Sequence, residues 1–141
     1  MTDQLARDAM VPDPLSLDAS ASAQEAAEAL SRPEVRAVFV CDEGRLTGVI
    51  TRKTLVREVV ARGLDPKTTA AGTFAEPPNA TIDSSTALGE AYAFLEEKDY
   101  ERVPVVEAGK LVGVLSRSAV QRRLAEDEPP ESEPEAGSLV L

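Results

Sequence analysis

A five-residue motif that could bind a charged ligand occurs twice in this chain. It reads Gly-Val-Ile-Thr-Arg at residues 48–52 and Gly-Val-Leu-Ser-Arg at residues 113–117. Each copy ends an apolar run typical of a strand and precedes a stretch with helical periodicity. The hydroxyl and the arginine therefore fall where a helix begins. Because a helix N-terminus presents unpaired amides and a partial positive charge, this combination suits a phosphate or a ribose.

The same residues also admit a purely structural interpretation. Thr51 and Ser116 can cap the helices that follow them. Gly48 and Gly113 can mark places where another backbone packs closely against a strand. The spacing alone leaves both interpretations open.

Other residue types exclude several kinds of catalytic site. The chain has no histidine and only one cysteine, Cys41, which excludes zinc sites built on these residues and histidine-assisted nucleophiles. Cys41 ends the apolar run at residues 37–41, so we expect a small buried side chain without chemistry. No carboxylate stands out in an apolar setting that would raise its pKa for acid–base work. We expect no catalytic residues and no metal site.

The net charge of −10 is concentrated at one end of the sequence. Residues 126–141 hold six carboxylates and no base, which leaves 19 acidic and 15 basic residues, or −4, in the rest of the chain. Neither part has the surplus of basic residues that neutralises a nucleic-acid backbone. We predict that residues 126–141 form a disordered, acidic, proline-rich tail that either solubilises the protein or contacts a partner.

No segment of the sequence indicates export or membrane insertion. Residues 1–10 are polar, and no apolar run approaches the roughly 20 residues that a membrane-spanning helix needs. We expect a soluble, cytoplasmic protein that binds neither membranes nor nucleic acid.

The whole chain up to the acidic tail is an internal duplication. A shift of 65 residues aligns the two copies without a gap, and identical residues then coincide in at least six pairs. These pairs are Pro12 and Pro77, Asp18 and Asp83, Ser20 and Ser85, Glu25 and Glu90, Leu30 and Leu95, and Gly48 and Gly113. Two copies without a third favour a closed pseudo-twofold pair over an open solenoid.

Each copy shows the same order of strand and helix patterns, β-α-β-β-α. A short strand leads into a helix, which in the first copy starts at a capping box formed by Ser22 and Glu25. Two apolar runs around an acidic turn with glycine then predict a β-hairpin, and a second helix closes each copy at residues 53–62 and 118–125. We predict an α/β (α+β) fold in which residues 5–63 and 79–125 form two repeats. Their sheets are expected to pack through the helices, with a linker at residues 64–78 and a lead-in to the second repeat near residue 70.

This tandem pattern resembles a pair of CBS domains, the regulatory modules first named for cystathionine beta-synthase. The similarity covers about residues 5–124 and includes the doubled hairpin with the runs "AVFVCDEGRLTGVITRKTLV" and "RVPVVEAGKLVGVLSRSAV". The resemblance implies one disc-like CBS-pair module, often dimeric, whose clefts between the repeats bind adenine nucleotides or adenosyl ligands.

The resemblance also implies which residues face such a ligand. The family's site has Thr or Ser followed three residues later by an Asp that holds the ribose. Here the hydroxyls match as Thr51 and Ser116, but Thr54 and Ala119 replace the Asp. Because a carboxylate makes charge-assisted hydrogen bonds, this loss would weaken binding about tenfold or more. Residues that approach the base correspond to Val35, Arg36 and Ala37 and to Tyr100, Glu101 and Arg102. The candidate ligand-binding residues are Arg36, Ala37, Thr51, Arg52, Thr54, Arg102, Ser116 and Arg117.

Two functional hypotheses follow for the module. The first is a non-catalytic sensor that requires no cofactor, binds AMP, ADP, ATP or an adenosyl compound, and regulates an unknown protein partner as a homodimer. In that case Thr51 and Thr54 would face the ribose, and Arg52 or Arg36 the phosphate. The alternative is a ligand-free dimerisation or protein-interaction module that has lost nucleotide binding.

Overall fold

A computed structural model describes residues 4–126 as two copies of one arrangement of strands and helices. The first copy contains α1 (Ala6–Ala9), β1 (Val11–Pro12), β2 (Ser16–Asp18), α2 (Ala23–Leu30), β3 (Val38–Asp42), β4 (Arg45–Ile50) and α3 (Arg52–Leu55), which continues as a π-helical turn (Val56–Val60). The second contains α4 (Ala71–Phe74), β5 (Ile82–Asp83), α5 (Leu88–Lys98), β6 (Arg102–Glu107), β7 (Lys110–Ser116) and α6 (Arg117–Glu126). The predicted α/β (α+β) class and the β-α-β-β-α order are confirmed.

The seven strands of residues 4–126 form one mixed sheet with the main order β2-β3-β4-β7-β6-β5, and β1 pairs antiparallel with β7 outside this order. In each repeat the hairpin strands pair antiparallel and the short lead-in strand pairs parallel with the next strand. The hairpins join where Arg45 of β4 pairs with Lys110 of β7. The prediction of two sheets packed through helices was wrong. The hairpin turns instead meet edge to edge, and the amides of Leu46 and Leu111 donate to carbonyl oxygens across the junction, at 3.2 and 3.1 Å.

The two repeats exchange their first short helices. Ala6 of α1 is fully buried in the core of the second repeat with Leu88 and Leu95, and Phe74 of α4 lies in the core of the first repeat. Equivalent backbone bonds hold both helices. The amide of Ala6 donates to the carbonyl of Thr86 at 2.8 Å, and that of Ala71, 65 residues later, donates to the carbonyl of Ala21 at 2.7 Å. The predicted linker at residues 64–78 thus contains a packed helix, and the domain boundaries stay a prediction.

Local signals in the sequence place several of these elements correctly. The Ser22 hydroxyl accepts a hydrogen bond from the Glu25 amide at 3.1 Å and begins α2 as predicted. The reverse bond of the predicted capping box is not among the hydrogen bonds of residues 4–126.

No helix among residues 4–126 combines the length and the apolar composition needed to cross a membrane. The cytoplasmic location stays a prediction. The predicted acidic tail lies outside the described residues except for Glu126, which ends α6.

Candidate ligand-binding site

A cavity of about 820 Å³ lies between the two repeats. Most of its wall is apolar, and both repeats contribute to it. The lining residues are Val11, Pro14, Leu15, Pro33, Glu34, Val35, Arg36, Ala37, Phe39, Val49, Thr51, Pro78, Asn79, Ala80, Tyr100, Arg102, Val103, Pro104, Val114 and Ser116. The sequence predicted two separate clefts, whereas this single cavity receives residues from both.

Strand pairing explains why distant candidate residues meet here. Thr51 and Ser116 lie where β4 and β7 end, and each of these strands pairs antiparallel with a strand whose first residues follow the helix α2 or α5. The segments that enter β3 and β6 therefore lie beside the two hydroxyls, and Arg102 pairs directly with Ser116. The structure thus brings five of the eight candidates to one cavity, namely Arg36, Ala37, Thr51, Arg102 and Ser116.

Thr51 both caps a helix and lines the cavity. Its hydroxyl accepts from the Thr54 amide at 3.3 Å, and its own amide donates to the Thr54 hydroxyl at 3.1 Å. The two hydroxyl oxygens are 3.0 Å apart. Because Thr54 is fully buried and its hydroxyl is engaged by Thr51, Thr54 stands behind the cavity wall and not in it.

Ser116 repeats this arrangement without a second hydroxyl. Its side chain accepts from the Ala119 amide at 3.2 Å and caps α6. Ala119 offers no polar side-chain atom, so the second repeat keeps only the capping half of the Thr51–Thr54 pair. The structural and the binding interpretation of the hydroxyl motif are therefore compatible, since one residue can fill both roles.

The four candidate arginines fall into two groups. Arg36 and Arg102 line the cavity, and their side chains make no hydrogen bond or ion pair within residues 4–126. Arg52 and Arg117 lie outside the lining. Arg52 donates to the carbonyl oxygen of Arg32 at 2.9 Å.

Arg117 is engaged by two carboxylates. Its guanidinium lies 3.3 Å from Asp99 and 3.4 Å from Glu101. These bonds turn the side chain toward the end of α5, which makes it a poorer phosphate ligand than the sequence motif indicated.

Sequence reasoning missed the part of the wall that the exchanged segments supply. Val11, Pro14 and Leu15 follow α1, and Pro78, Asn79 and Ala80 occupy nearly equivalent positions after α4. The 65-residue shift pairs these two proline-containing segments, but it does not reveal that each crosses to the other repeat. Tyr100, which the resemblance placed near the base, lines the cavity and packs edge-on against Phe94 with ring centroids 6.1 Å apart.

The cavity is suited to a ligand with a flat apolar part and an anionic group. Aliphatic side chains and Tyr100 offer apolar contact, the two unpaired guanidinium groups offer charge, and Thr51 and Ser116 offer hydroxyls. Cys41 lies outside this lining, and its pKa is raised by burial and further by the Asp18 carboxylate, so its thiol stays protonated. Residues 4–126 contain no cluster of three or more side chains that could hold a metal ion.

Comparison with known proteins places both repeats in one family. A model of the CBS domain matches residues 6–61 and 71–126. Hypoxic response protein 1 of Mycobacterium tuberculosis is 32% identical over 102 residues, which are 72% of this chain and 71% of that protein. A crystal structure of Hypoxic Response Protein I with two coordinated zinc ions has a TM-score of 0.71 at 29% identity, over 87% of this chain and 99% of that one.

A second similar structure contains a nucleotide. CBSX2 in complex with AMP has a TM-score of 0.68 at 27% identity and covers 87% of this chain and 97% of its own. CBSX2 from Arabidopsis thaliana is a CBS-pair protein.

Proposed function

This chain belongs to the CBS-domain family as a tandem pair, and we propose that it is a non-catalytic regulatory module that binds an adenine nucleotide between its repeats. CBS-pair proteins are regulatory modules, and the structurally similar CBSX2 binds AMP. The observation that carries the proposal is the single cavity in which Thr51 and Ser116 lie with the unpaired Arg36 and Arg102. This combination supplies the chemistry that a nucleotide needs.

Each part of a nucleotide has a matching group in the cavity wall. The adenine ring would lie against apolar side chains such as Val35 and Ala37 and against the Tyr100 ring, which Phe94 holds in place. The Thr51 hydroxyl would contact the ribose, and Arg36 the phosphate. Thr54 would take no direct part, because its hydroxyl is buried and bonded to Thr51.

Zinc is not part of the proposal. Hypoxic Response Protein I holds two zinc ions in its crystal structure, but this chain has no histidine and one cysteine. Cys41 is buried, and residues 4–126 provide no group of three metal-ligating side chains. Residues 4–126 therefore offer no donor set for a zinc ion.

Thermal unfolding with a panel of nucleotides tests this function. A ligand at about a hundred times its Kd raises the free energy of unfolding by about 2.7 kcal/mol, which is several degrees for a domain of this size. We expect such a shift with AMP, ADP or ATP and none with guanine nucleotides. Arg36→Ala should remove most of the shift without lowering the basal Tm, because Arg36 is exposed and unpaired within residues 4–126. Lys67→Ala, which also removes an exposed cation but lies outside the cavity lining, is the matched control.

A ligand-free interaction module is the second candidate function. It is favoured by the replacement of both ribose-binding carboxylates, since Thr54 is buried and Ala119 is apolar. The same panel separates the two functions. A Tm that no adenine nucleotide changes would support the interaction module and contradict the sensor.

We also propose that two copies of the chain associate through one apolar face, formed by the π-helical turn after α3 and by Leu64 beyond it. Val56, Val60 and Leu64, spaced four residues apart, are 56%, 70% and 38% exposed. Gln121 and Ala125, 65 residues after the two valines, are polar or small, so this apolar face occurs in the first repeat only. A twofold axis would place the face against its own copy and bury the three side chains.

A further inference from the structure

Glu34 is the one carboxylate among the residues of 4–126 that line the cavity. The other two charged residues of the lining are cations, Arg36 and Arg102. The Glu34 side chain is exposed and makes no hydrogen bond or ion pair within residues 4–126, not even with the nearby Arg36. The cavity wall therefore offers a ligand a free hydrogen-bond acceptor with negative charge beside its free guanidinium donors.

The equivalent carboxylate of the second repeat is engaged within the protein. Asp99 stands 65 residues after Glu34 and lies outside the cavity lining. Its carboxylate is 3.3 Å from the guanidinium of Arg117. The equivalent arginine of the first repeat, Arg52, donates to the carbonyl oxygen of Arg32 at 2.9 Å and forms no ion pair with Glu34. This difference leaves both oxygens of Glu34 available to a ligand.

The backbone places Glu34 at the same end of the first hairpin as Thr51. The strands β3 and β4 pair antiparallel as far as Val38 and Ile50. Residues shortly before Val38 and directly after Ile50 therefore lie at one end of the strand pair, and these include Glu34 and Thr51. Both residues line the cavity, so the carboxylate and the hydroxyl border one shared space.

Neither position three residues after the motif hydroxyls gives the cavity an acceptor. Thr54 is buried and bonded to Thr51, and Ala119 has no polar side-chain atom. The two oxygens of a carboxylate can accept from two neighbouring hydroxyls at once, and such charge-assisted bonds are stronger than bonds between neutral groups. In a nucleotide, the group with two neighbouring hydroxyls is the ribose.

We infer that Glu34 accepts hydrogen bonds from the two hydroxyls of a ribose and makes the cavity selective for ribonucleotides. This inference rests on the proposed function and deepens it by naming the residue that determines specificity. It also fixes the sign of a mutational effect. A carboxylate that only stood in the wall would repel the phosphate, so its removal would strengthen AMP binding. A carboxylate bonded to the ribose has the opposite effect, and its removal weakens binding.

Isothermal titration calorimetry with AMP and with its dideoxy analogue, which lacks both ribose hydroxyls, tests this inference. The two probes share the base and the phosphate, so the ratio of their Kd values reports the hydroxyl contacts alone. We expect the wild type to bind AMP about tenfold or more tightly than the analogue. Glu34→Ala should weaken AMP binding by a similar factor and bring the two Kd values together. An unchanged Tm would show that the variant folds.

Glu97→Ala is the matched control, because it removes an exposed carboxylate that lies outside the cavity lining. It should leave both Kd values unchanged.

The outcomes separate this inference from the proposed function. Equal Kd values for the two probes in the wild type would overturn the inference and leave nucleotide binding intact. The same holds for a preference that persists in Glu34→Ala, or for tighter AMP binding by that variant. Binding of neither probe to the wild type would overturn both.

Discussion

The hydroxyl of Thr54 is buried and bonded to Thr51, so it does not face the cavity as the motif predicted. The resemblance placed this residue at the ribose position, but its side chain is fully buried and accepts from the Thr51 amide. Sequence alone could predict Thr51 and Ser116, because a hydroxyl before a helix has few other uses. It could not predict that Thr54 turns inward, because that depends on the rotamer that packing against the helix selects.

Thr54→Val should lower stability without affecting ligand binding. Valine has nearly the same shape, but it leaves the Thr51 amide without its acceptor, at a cost of about 1–3 kcal/mol in the free energy of unfolding. Denaturant unfolding measures this loss. The exposed Thr68→Val is the control and should change the free energy by less than about 0.5 kcal/mol. If Thr54→Val instead abolished a nucleotide-induced shift at unchanged stability, Thr54 would belong to the ligand site after all.

Among the secondary-structure elements, the exchanged short helices α1 and α4 position part of the cavity wall, because the segments that follow them line the cavity. Hydrophobic periodicity and turn residues predicted the β-α-β-β-α order of each repeat, because these signals are local, but they did not predict α1, β1 or α4. They could not show which core α1 and α4 join, since a four-residue segment such as Ala6–Ala9 carries no information about its partner. Gly48 and Gly113, predicted as points of close packing, are where the exchanged segments cross the strands.

Gly48→Ala should destabilise the fold through this crossing. A Cβ atom at Gly48 would lie 2.7 Å from the Ala75 Cβ and 3.2 Å from the Glu76 carbonyl oxygen, so the segment after α4 would have to move. We expect the free energy of unfolding to fall by about 1–3 kcal/mol. Gly89→Ala is the matched control in α5, where a Cβ meets no atom within 4 Å, and it should raise stability by up to about 1 kcal/mol. Equal effects of the two variants would refute the close packing at Gly48.

In the whole molecule, the two repeats have equivalent backbone hydrogen bonds, but their exposed side chains differ. The equivalent bonds of Ala6 and Ala71 show the first property. The difference in surface is seen where the first repeat exposes Val56 and Val60, because the equivalent positions of the second repeat hold Gln121 and Ala125. The duplication was readable from the 65-residue spacing, but the single joined sheet was not, because the Arg45–Lys110 contact forms between two turns far apart in the sequence.

Val60→Glu should dissociate the proposed homodimer. Light scattering of the wild type is expected to give twice the 15.0 kDa mass of one chain, and the variant should give a single chain because a carboxylate would be buried against its own copy. Ala125→Glu introduces the same charge at the equivalent exposed position of the second repeat and should leave the mass unchanged. A single-chain mass for the wild type would contradict the dimer.

An NMR titration of the uniformly labelled protein with AMP would show whether a nucleotide binds between the repeats. We expect amide shifts confined to residues around the cavity, at 34–37, 51, 100–103 and 116, with the largest near Arg36. Amides on the apolar face of Val56 and Val60 should not move. An unchanged spectrum at saturating AMP, or shifts that map away from the cavity, would rule out nucleotide binding between the repeats.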